Sequence, residues 1–243
     1  MKGAIMQPTY LPWLGYFAMI DDVDIFIFLD NVQLTKRSWQ VRNRIKEHDG
    51  KELLLTIPVH TKGRDETKIC DAKLLETDWY RKHLYSIRQS YSKAQYFGEV
   101  MPILEKIFEQ KYEYLYELNE NLILAVCEYL QIKTSMLRSG DLKNISGKKD
   151  DLLVSICKEV GIDCYLSAKG SAAYIESETS GGAFSKAGIL LEYQNYEHPK
   201  YRQLGKEFMP FMGIVDLLFN EGKESLAIIR SGVRKSYTSD NVL

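Results

Sequence analysis

Several features that would indicate a metal site or a disulfide scaffold are scarce in this sequence of 243 residues. It has four cysteines and four histidines, no two cysteines have the CxxC spacing, and the histidines lie far from the cysteines along the chain. We therefore expect no zinc site. Cys127 and Cys157 fall on apolar faces of helical patterns, so we expect buried free thiols in a reducing compartment.

Long apolar runs are also lacking. No window reaches the roughly 18 apolar residues of a membrane span, and the short run after Lys2 stops at Gln7 and Pro8, unlike a signal peptide. We therefore expect a cytoplasmic protein without a membrane span. An excess of charge of either sign is missing too, because 32 basic and 33 acidic residues give a net charge of −1. This balance argues against a nucleic-acid partner.

The first informative feature of the sequence is a compact unit at its N-terminus. Lys2 to Met6 is apolar enough for a buried strand, and Pro8 and Pro12 favour a loop after it because they fix φ and lack an N–H. Residues 13–20 follow as a short amphipathic helix. Residues 23–29 read VDIFIFL, the pattern of a strand covered on both faces. The chain thus opens with a Rossmann-like βαβ unit.

The rest of the chain predicts one α/β domain over residues 1–243, with a parallel-rich sheet and a helical insertion or subdomain at about residues 78–131. Asp49-Gly50 marks a hairpin turn, and the helical stripes are interpreted as core packing with no cofactor site. The further elements that we predict are a hairpin (41–59), strands (132–137, 163–167 and 190–194), helices (79–91, 100–112, 114–130, 151–160 and 208–219) and a frayed tail after Ser231.

Polar side chains gather where the first two strands end, and ligands of such sheets bind at carboxyl ends of strands. Basic residues make this crevice positive, which suits a phosphate, a carboxylate or a nucleotide. Packing of a tight turn and a solvated basic rim are the alternatives. The predicted binding residues of this crevice are Gln7, Tyr10, Gln33, Lys36, Arg37, Trp39, Gln40, Arg42 and Asn43.

Further candidates lie at later strand and helix ends. Lys148 precedes a helix and could meet a phosphate, although the GxxxxGK[ST] spacing of a P-loop is missing. Ser167 ends a strand. Residues 60–68 form a polar loop that is either a lid or a plain solvated connection.

Acid–base chemistry has two candidates, His198 and Asp30. Tyr196 and Tyr201 flank His198 and are predicted to face the substrate, while a structural histidine capping a turn is an equal alternative. Asp216, inside an apolar helix, needs a partner, for which we expect an arginine of residues 37–44 or a backbone amide.

Long stretches of the sequence resemble the WbqC-like family of bacteria: MQPTYLPWLGYF, then DVDIFIFLDNVQLTKRSWQVRNRIK, and GILLEYQNYEHPKYRQLGKEFMPFMGIVDLLFNEG near the C-terminus. The resemblance covers both ends of the chain. It implies a role near surface polysaccharide (O-antigen) biosynthesis. Related proteins commonly have histidine before the first proline of the loop, where this chain has Gln7, which can only hydrogen bond.

The layout is also similar to that of small nucleotidyltransferases and of acid–amine ligases of the pantothenate-synthetase type, although both histidines of their HxGH-type signature are missing. Resemblance and layout together imply a transferase or ATP-assisted ligase that moves an acyl or aminoacyl group onto a nucleotide-linked or phosphorylated amino sugar. ATP with magnesium is the candidate cofactor. The alternative is a non-catalytic protein that binds a sugar nucleotide or a partner enzyme of the same pathway.

Overall fold

The computed structural model describes residues 1–35, 37–60 and 66–242. The helices within these ranges are α1 (Leu14–Asp21), α2 (Trp79–Tyr91), α3 (Phe97–Phe108), α4 (Leu115–Leu130), α5 (Asp150–Val160), α6 (Ala172–Ile175), α7 (Gly182–Ala187), α8 (Ile214–Glu221) and α9 (Ser225–Ser231). The strands are β1 (Lys2–Met6), β2 (Ile25–Phe28), β3 (Arg42–Lys46), β4 (Glu52–Thr56), β5 (Ser135–Arg138), β6 (Cys164–Ser167), β7 (Leu190–Tyr196) and β8 (Val233–Tyr237).

A six-stranded, mostly parallel sheet organises the fold, in the order β5-β2-β1-β6-β7-β8. β1 pairs with β2 and with β6 in parallel, and β7 and β8 form the antiparallel pair. The predicted α/β class and the opening βαβ unit are confirmed. All four residues of β2 are buried, as expected for a strand covered on both faces.

The predicted hairpin is a separate two-stranded sheet of β3 and β4, with Arg42 opposite Thr56 and Lys46 opposite Glu52. Gly50 in its turn has a φ of +87°, a conformation that glycine adopts without steric cost. The hairpin lies beside the loop after β1 and so brings the segment that follows β2 back to the sheet edge.

Apolar side chains form two clusters. The larger joins α1 and β2 to the hairpin, to α2–α4 and to α8, and the smaller packs β1, β2, β6 and β7 against α5 and α7. Cys127 and Cys157 are buried free thiols, as predicted, and burial raises the pKa of both to about 12. Among the described residues, no helix has the length and apolar content that a membrane crossing needs.

Two predictions about the C-terminal part were wrong. The helix expected over residues 208–219 begins only at Ile214, because Phe211 has a φ of +60° and the Ile214 N–H donates to the Pro12 carbonyl at 2.8 Å. The tail after Ser231 is not frayed over residues 233–237, since these form β8, which pairs with β7. Alternation of polar and apolar residues is weak in β8, which left no strand signal in the sequence.

Candidate functional site

The loop of residues 7–12, which follows β1, is held rigidly at the carboxyl edge of the sheet. The Asn43 amide donates to the carbonyls of Tyr10 and Leu11 at 2.9 and 2.8 Å. The Asn119 amide on α4 donates to the carbonyls of Pro8 and Gln40 at 3.1 and 2.8 Å. These bonds connect the loop to the hairpin and to α4, so the three segments form one preorganised wall.

Five buried polar side-chain atoms, in residues 38–42 and on α4, have no hydrogen-bond partner among the described residues. Buried polar atoms are nearly always paired in folded proteins, and leaving one unpaired costs about 1–3 kcal/mol. A ligand that supplies the missing partners would remove this cost. The five atoms are Ser38 Oγ, Gln40 Oε1, Arg42 Nε, Asn119 Oδ1 and Glu120 Oε1.

Asp30, after β2, anchors the neighbouring end of β5. Both guanidinium contacts of Arg138 reach Asp30 Oδ2, at 3.0 and 2.7 Å. The Gly140 N–H donates to Asp30 Oδ1 at 2.8 Å, and Ser139 Oγ lies 3.0 Å from the same atom. The carboxylate is fully buried, and both of its oxygens accept hydrogen bonds. Asp30 is therefore better suited to a structural role than to proton transfer.

Glu120 lies next to this anchor, and its Oε1 has no hydrogen-bond partner among the described residues. Its Oε1 is 3.6 Å from Arg138 Nε, too far for a hydrogen bond. Burial raises the pKa of Glu120 to about 8, against the opposing pull of Arg138 and with a further rise from Asp30. Carboxyls with perturbed pKa values are typical of functional sites.

The predicted crevice residues divide into two groups. Gln7 and Gln40 meet, because the Gln40 amide donates to Gln7 Oε1. Arg42, two residues after Gln40, has a buried Nε without a partner among the described residues. Tyr10 and Asn43 instead make their contacts inside the protein. The Tyr10 ring is fully buried with its hydroxyl 2.8 Å from His83 Nδ1, so it does not reach the surface of the crevice.

The remaining predicted binding residues lie at the surface or at other strand ends. Gln33, Arg37 and Trp39 are exposed along the segment between β2 and β3, and Lys148 is exposed before α5. Ser167 is buried as the last residue of β6, with its hydroxyl 2.6 Å from that of Ser171. The predictions for Lys36 and for most of the lid (residues 61–65) fall outside the described residues.

His198 is engaged at both ring nitrogens. Nδ1 lies 2.9 Å from the Pro199 carbonyl and Nε2 accepts the Phe211 N–H at 3.1 Å, which fixes the proton on Nδ1. Burial lowers the pKa of His198, against the hydrogen bond to the Pro199 carbonyl. Its ring stacks at 6.2 Å on Trp13, so the geometry favours the structural alternative.

The two tyrosines that flank His198 are also tied to the interior. The Tyr196 hydroxyl donates to the Ile229 carbonyl at 3.1 Å. The Tyr201 hydroxyl donates to Asp216 at 2.8 Å. Both hydroxyl groups are thus engaged in hydrogen bonds inside the protein.

The expected partner of Asp216 was wrong. Instead of an arginine or a backbone amide, Tyr91, Tyr201 and Gln203 donate to its carboxylate at 2.9, 2.8 and 2.7 Å. Burial raises the pKa of Asp216, and these hydrogen bonds oppose the rise. Asp216 is therefore a structural anchor whose hydrogen bonds come from two phenols and a side-chain amide.

A cleft of about 770 Å³ lies elsewhere, between the start of α2 and the turn from α3 to α4. Trp79 and Phe108 form its floor, and Lys73 at its rim is paired with Glu113 at 2.5 Å. None of the five unpartnered atoms lines it. We therefore place the candidate site at the sheet edge. No group of three or more His, Cys, Asp or Glu side chains suited to a metal ion occurs within the described residues.

Sequence reasoning missed Asn119, Glu120 and Arg138 as site residues. The first two lie on α4 between Leu118 and Leu122, whose periodicity predicted a plain core helix. Two buried polar residues inside such a stripe were the available signal, since a buried polar side chain needs a partner.

Comparisons with known proteins identify a family and one relative that match most of this chain. The family model described as "WbqC-like protein family" matches residues 7–228. A Mycobacterium tuberculosis protein described as "Uncharacterized protein Rv1507c" is 36% identical over 231 residues, which cover 94% of this chain and 97% of that protein. No solved structure matches the chain.

Proposed function

The chain belongs to the WbqC-like protein family, and from that premise we propose that it binds a phosphorylated or nucleotide-linked sugar at the carboxyl edge of its sheet. It then transfers an acyl or aminoacyl group to this sugar in surface polysaccharide (O-antigen) biosynthesis. The observation that carries this proposal is the group of buried, unpartnered polar atoms on Ser38, Gln40, Arg42, Asn119 and Glu120. ATP with magnesium is the proposed means of activating the acyl group.

Different members of this group suit different parts of such a substrate. Arg42 and the exposed Arg37 supply positive charge for a phosphate, and an arginine fork matches phosphate oxygens well. The switch in strand order between β1 and β6 lies at the same edge, which is where open α/β sheets bind their ligands. Glu120, with a pKa of about 8, is the proposed acid–base group.

A binding protein without catalysis is the second candidate function. Asp30 and His198, the acid–base groups predicted from the sequence, have their polar side-chain atoms engaged inside the chain. A crevice whose carboxylate is anchored in this way can recognise a sugar nucleotide or a partner enzyme without turnover. Under this alternative Glu120 is a recognition group.

A thermal-shift screen tests the proposed ligand class. Wild type is heated with ATP, CTP, UDP-sugars or dTDP-sugars, each with and without magnesium, beside Arg42→Ala and the matched control Arg81→Ala, an exposed arginine of α2. A ligand at 100 times its dissociation constant stabilises by about 2.7 kcal/mol. We expect one nucleotide class to raise the melting temperature of wild type and of the control but not of Arg42→Ala. No shift with any of these ligands would reject the proposed class.

The ligand found in this screen is then assayed for turnover with an acyl donor and ATP. Product formed by wild type and lost in Glu120→Gln, with ligand binding retained, supports the transferase. Binding without turnover for every donor supports the second candidate.

A further inference from the structure

Trp39 presents a large aromatic ring at the surface, in the segment between β2 and β3. Half of its surface (50%) is exposed, whereas Trp13 and Trp79 are partly buried against the core. A single exposed apolar side chain is common on protein surfaces, so exposure alone says little about binding. The contacts that hold the ring, and the charges around it, are the informative features.

The backbone places Trp39 directly beside the loop after β1. The Val41 N–H donates to the Ser38 carbonyl at 3.2 Å, which closes a turn with Trp39 and Gln40 as its central residues. The Tyr10 N–H donates to the Trp39 carbonyl at 2.8 Å. Gln40 is buried, with 6% of its surface exposed, so Trp39 is the outward residue of this turn.

The indole of Trp39 is held by a cation on one face. The Arg44 guanidinium carbon lies 5.7 Å from the centre of the Trp39 ring, which is a cation–π contact. Arg44 is itself fixed, because its Nε donates to the Phe211 carbonyl at 3.0 Å and its Nη1 donates to Glu52 at 3.0 Å. With one face covered by this cation, the exposed half of the indole leaves its other face for a second planar group.

The two arginines that are proposed to bind phosphate flank Trp39 in the sequence. Arg42 shares one face of β3 with Arg44, since alternate residues of a strand point to the same side about 7 Å apart, and its Nε is buried without a partner. Arg37 is exposed with a φ of +55°. Strained backbone of this kind clusters at functional sites, so positive charge and an open aromatic face lie together in residues 37–44.

We infer that Trp39, backed by Arg44, is a stacking platform for the base of a nucleotide-linked substrate whose phosphates lie against Arg42 and Arg37. This inference rests on the proposed function and deepens it by naming the residue that recognises the nucleotide part. A base is planar and aromatic and a phosphate is anionic, so a nucleotide matches both features of the segment. A free sugar has neither property, and a sugar phosphate has only the charge.

Calorimetric titration with nucleoside diphosphates (UDP, dTDP, CDP and ADP) and with inorganic pyrophosphate tests the platform, because pyrophosphate has the phosphates without the base. The proteins are wild type, Trp39→Ala, Trp39→Phe and the matched control Tyr85→Ala, at a 65% exposed aromatic residue of α2. We expect Trp39→Ala to bind the preferred nucleotide about tenfold more weakly, the effect of one base–aromatic stack. Its affinity for pyrophosphate should be unchanged.

Two further readouts separate stacking from a structural role of Trp39. Trp39→Phe should retain most of the nucleotide affinity, since a phenyl ring also stacks on a base, and the control should bind as wild type does. The difference in tryptophan emission between wild type and Trp39→Phe isolates the signal of Trp39. The nucleotide should quench this signal, and pyrophosphate should leave it unchanged.

The outcomes distinguish failure of the platform from failure of the proposed function. If nucleotides bind equally well to wild type and Trp39→Ala, the platform is wrong and the nucleotide-linked class stands. If nucleotide binding depends on Trp39 but no acyl donor gives product, the platform stands and the transfer is wrong. Binding of none of the nucleotides overturns both.

Two other results would also overturn the platform. The first is an equal loss of nucleotide and pyrophosphate affinity in Trp39→Ala, which would show that the indole supports the whole site and makes no particular contact with the base. The second is self-association of wild type in sedimentation experiments that Trp39→Ala abolishes while nucleotide affinity is unchanged. That result would assign the indole to a contact between two copies of the chain.

Discussion

Two buried carboxylates, Asp30 and Glu120, lie beside the same arginine and have different surroundings. Asp30 receives the Arg138 guanidinium and a backbone N–H. Glu120 receives neither, and burial raises its pKa. One arginine can neutralise one carboxylate at hydrogen-bond distance, so Glu120 is left 3.6 Å from its nearest Arg138 nitrogen.

Asp30→Asn removes the close partner of Arg138 and leaves a guanidinium uncompensated. Breaking a buried ion pair by removing one partner costs about 3–5 kcal/mol, and because Arg138 is 27% exposed we expect about 3 kcal/mol. Urea unfolding measures the loss. Asp141→Asn is the matched control, since Asp141 is an exposed partner of the same arginine at 3.8 Å, and it should cost less than about 0.5 kcal/mol. Equal effects of the two substitutions would contradict the anchoring role.

His83 gives a pH dependence of stability with a defined direction. Burial lowers its pKa to about 4 from an ordinary value of 6.5, so the unfolded chain takes up this proton first as the pH falls. The stability that His83 contributes is complete above pH 6.5 and is lost between pH 6.5 and 4. A shift of one unit corresponds to about 1.4 kcal/mol, so we expect a loss of about 3 kcal/mol.

The free energy of unfolding of wild type and of His83→Gln, measured by urea at pH 7 and at pH 4.5, tests this direction. The difference between the two pH values should be smaller in the variant. His48→Gln, at an exposed histidine, should behave as wild type. A pH dependence that is unchanged in His83→Gln would show that other groups cause it.

Gln7 and Gln40 could be predicted as residues of the candidate site because they follow β1 and β2 in the sequence, and strand ends of a parallel sheet share one edge. Arg42 was predicted with them and begins the hairpin. Asn119 and Glu120 could not be placed there, because they reach the edge only through tertiary packing of α4. His198 was an attractive acid–base residue by type alone. Its hydrogen bonds to Pro199 and Phe211 depend on a loop conformation that the sequence does not reveal.

At the scale of elements, local periodicity predicted β1, the hairpin, α4 and α5 well, because each has its own apolar pattern and end signals. α8 begins later than its apolar run, because the start depends on contacts with two distant segments. The Gly213 N–H donates to the Arg44 carbonyl at 2.9 Å, and the next N–H donates to Pro12. Such docking is absent from any local pattern.

Gly213→Ala tests the close docking of α8. A Cβ there would lie 2.9 Å from the Leu11 carbonyl oxygen and 3.2 Å from that of Arg44, and backbone atoms cannot move aside as a side chain can. We expect a loss of about 2 kcal/mol, since overpacking costs about 1–3 kcal/mol. The melting temperature and urea midpoint measure it.

Gly98→Ala is the control for this substitution, because Gly98 lies in α3 with nothing within 4 Å of the new Cβ. Alanine is favoured over glycine in helices by up to about 1 kcal/mol. The control should therefore be neutral or stabilising. A Gly213→Ala protein as stable as the control would contradict the close contact between α8 and the loop after β1.

At the scale of the whole molecule, we expect the sheet and the helices of residues 78–131 to unfold together. The larger apolar cluster contains Tyr10 and Phe26 together with Ile87, Leu104 and Leu122, so these helices share their core with one face of the sheet. Urea unfolding followed by tryptophan fluorescence and by far-ultraviolet circular dichroism should give coincident transitions. Two separated transitions would indicate an independent helical subdomain.

The central claim is that the ligand binds at the carboxyl edge of the sheet, and amide hydrogen exchange with the nucleotide sugar identified by thermal shift tests it most directly. We predict that the ligand slows exchange in residues 7–12, 37–43 and 138–141 and leaves residues 73–80 and 108–113 unchanged. Protection confined to the latter two segments, which line the large cleft, would contradict the account and move the binding site to that cleft.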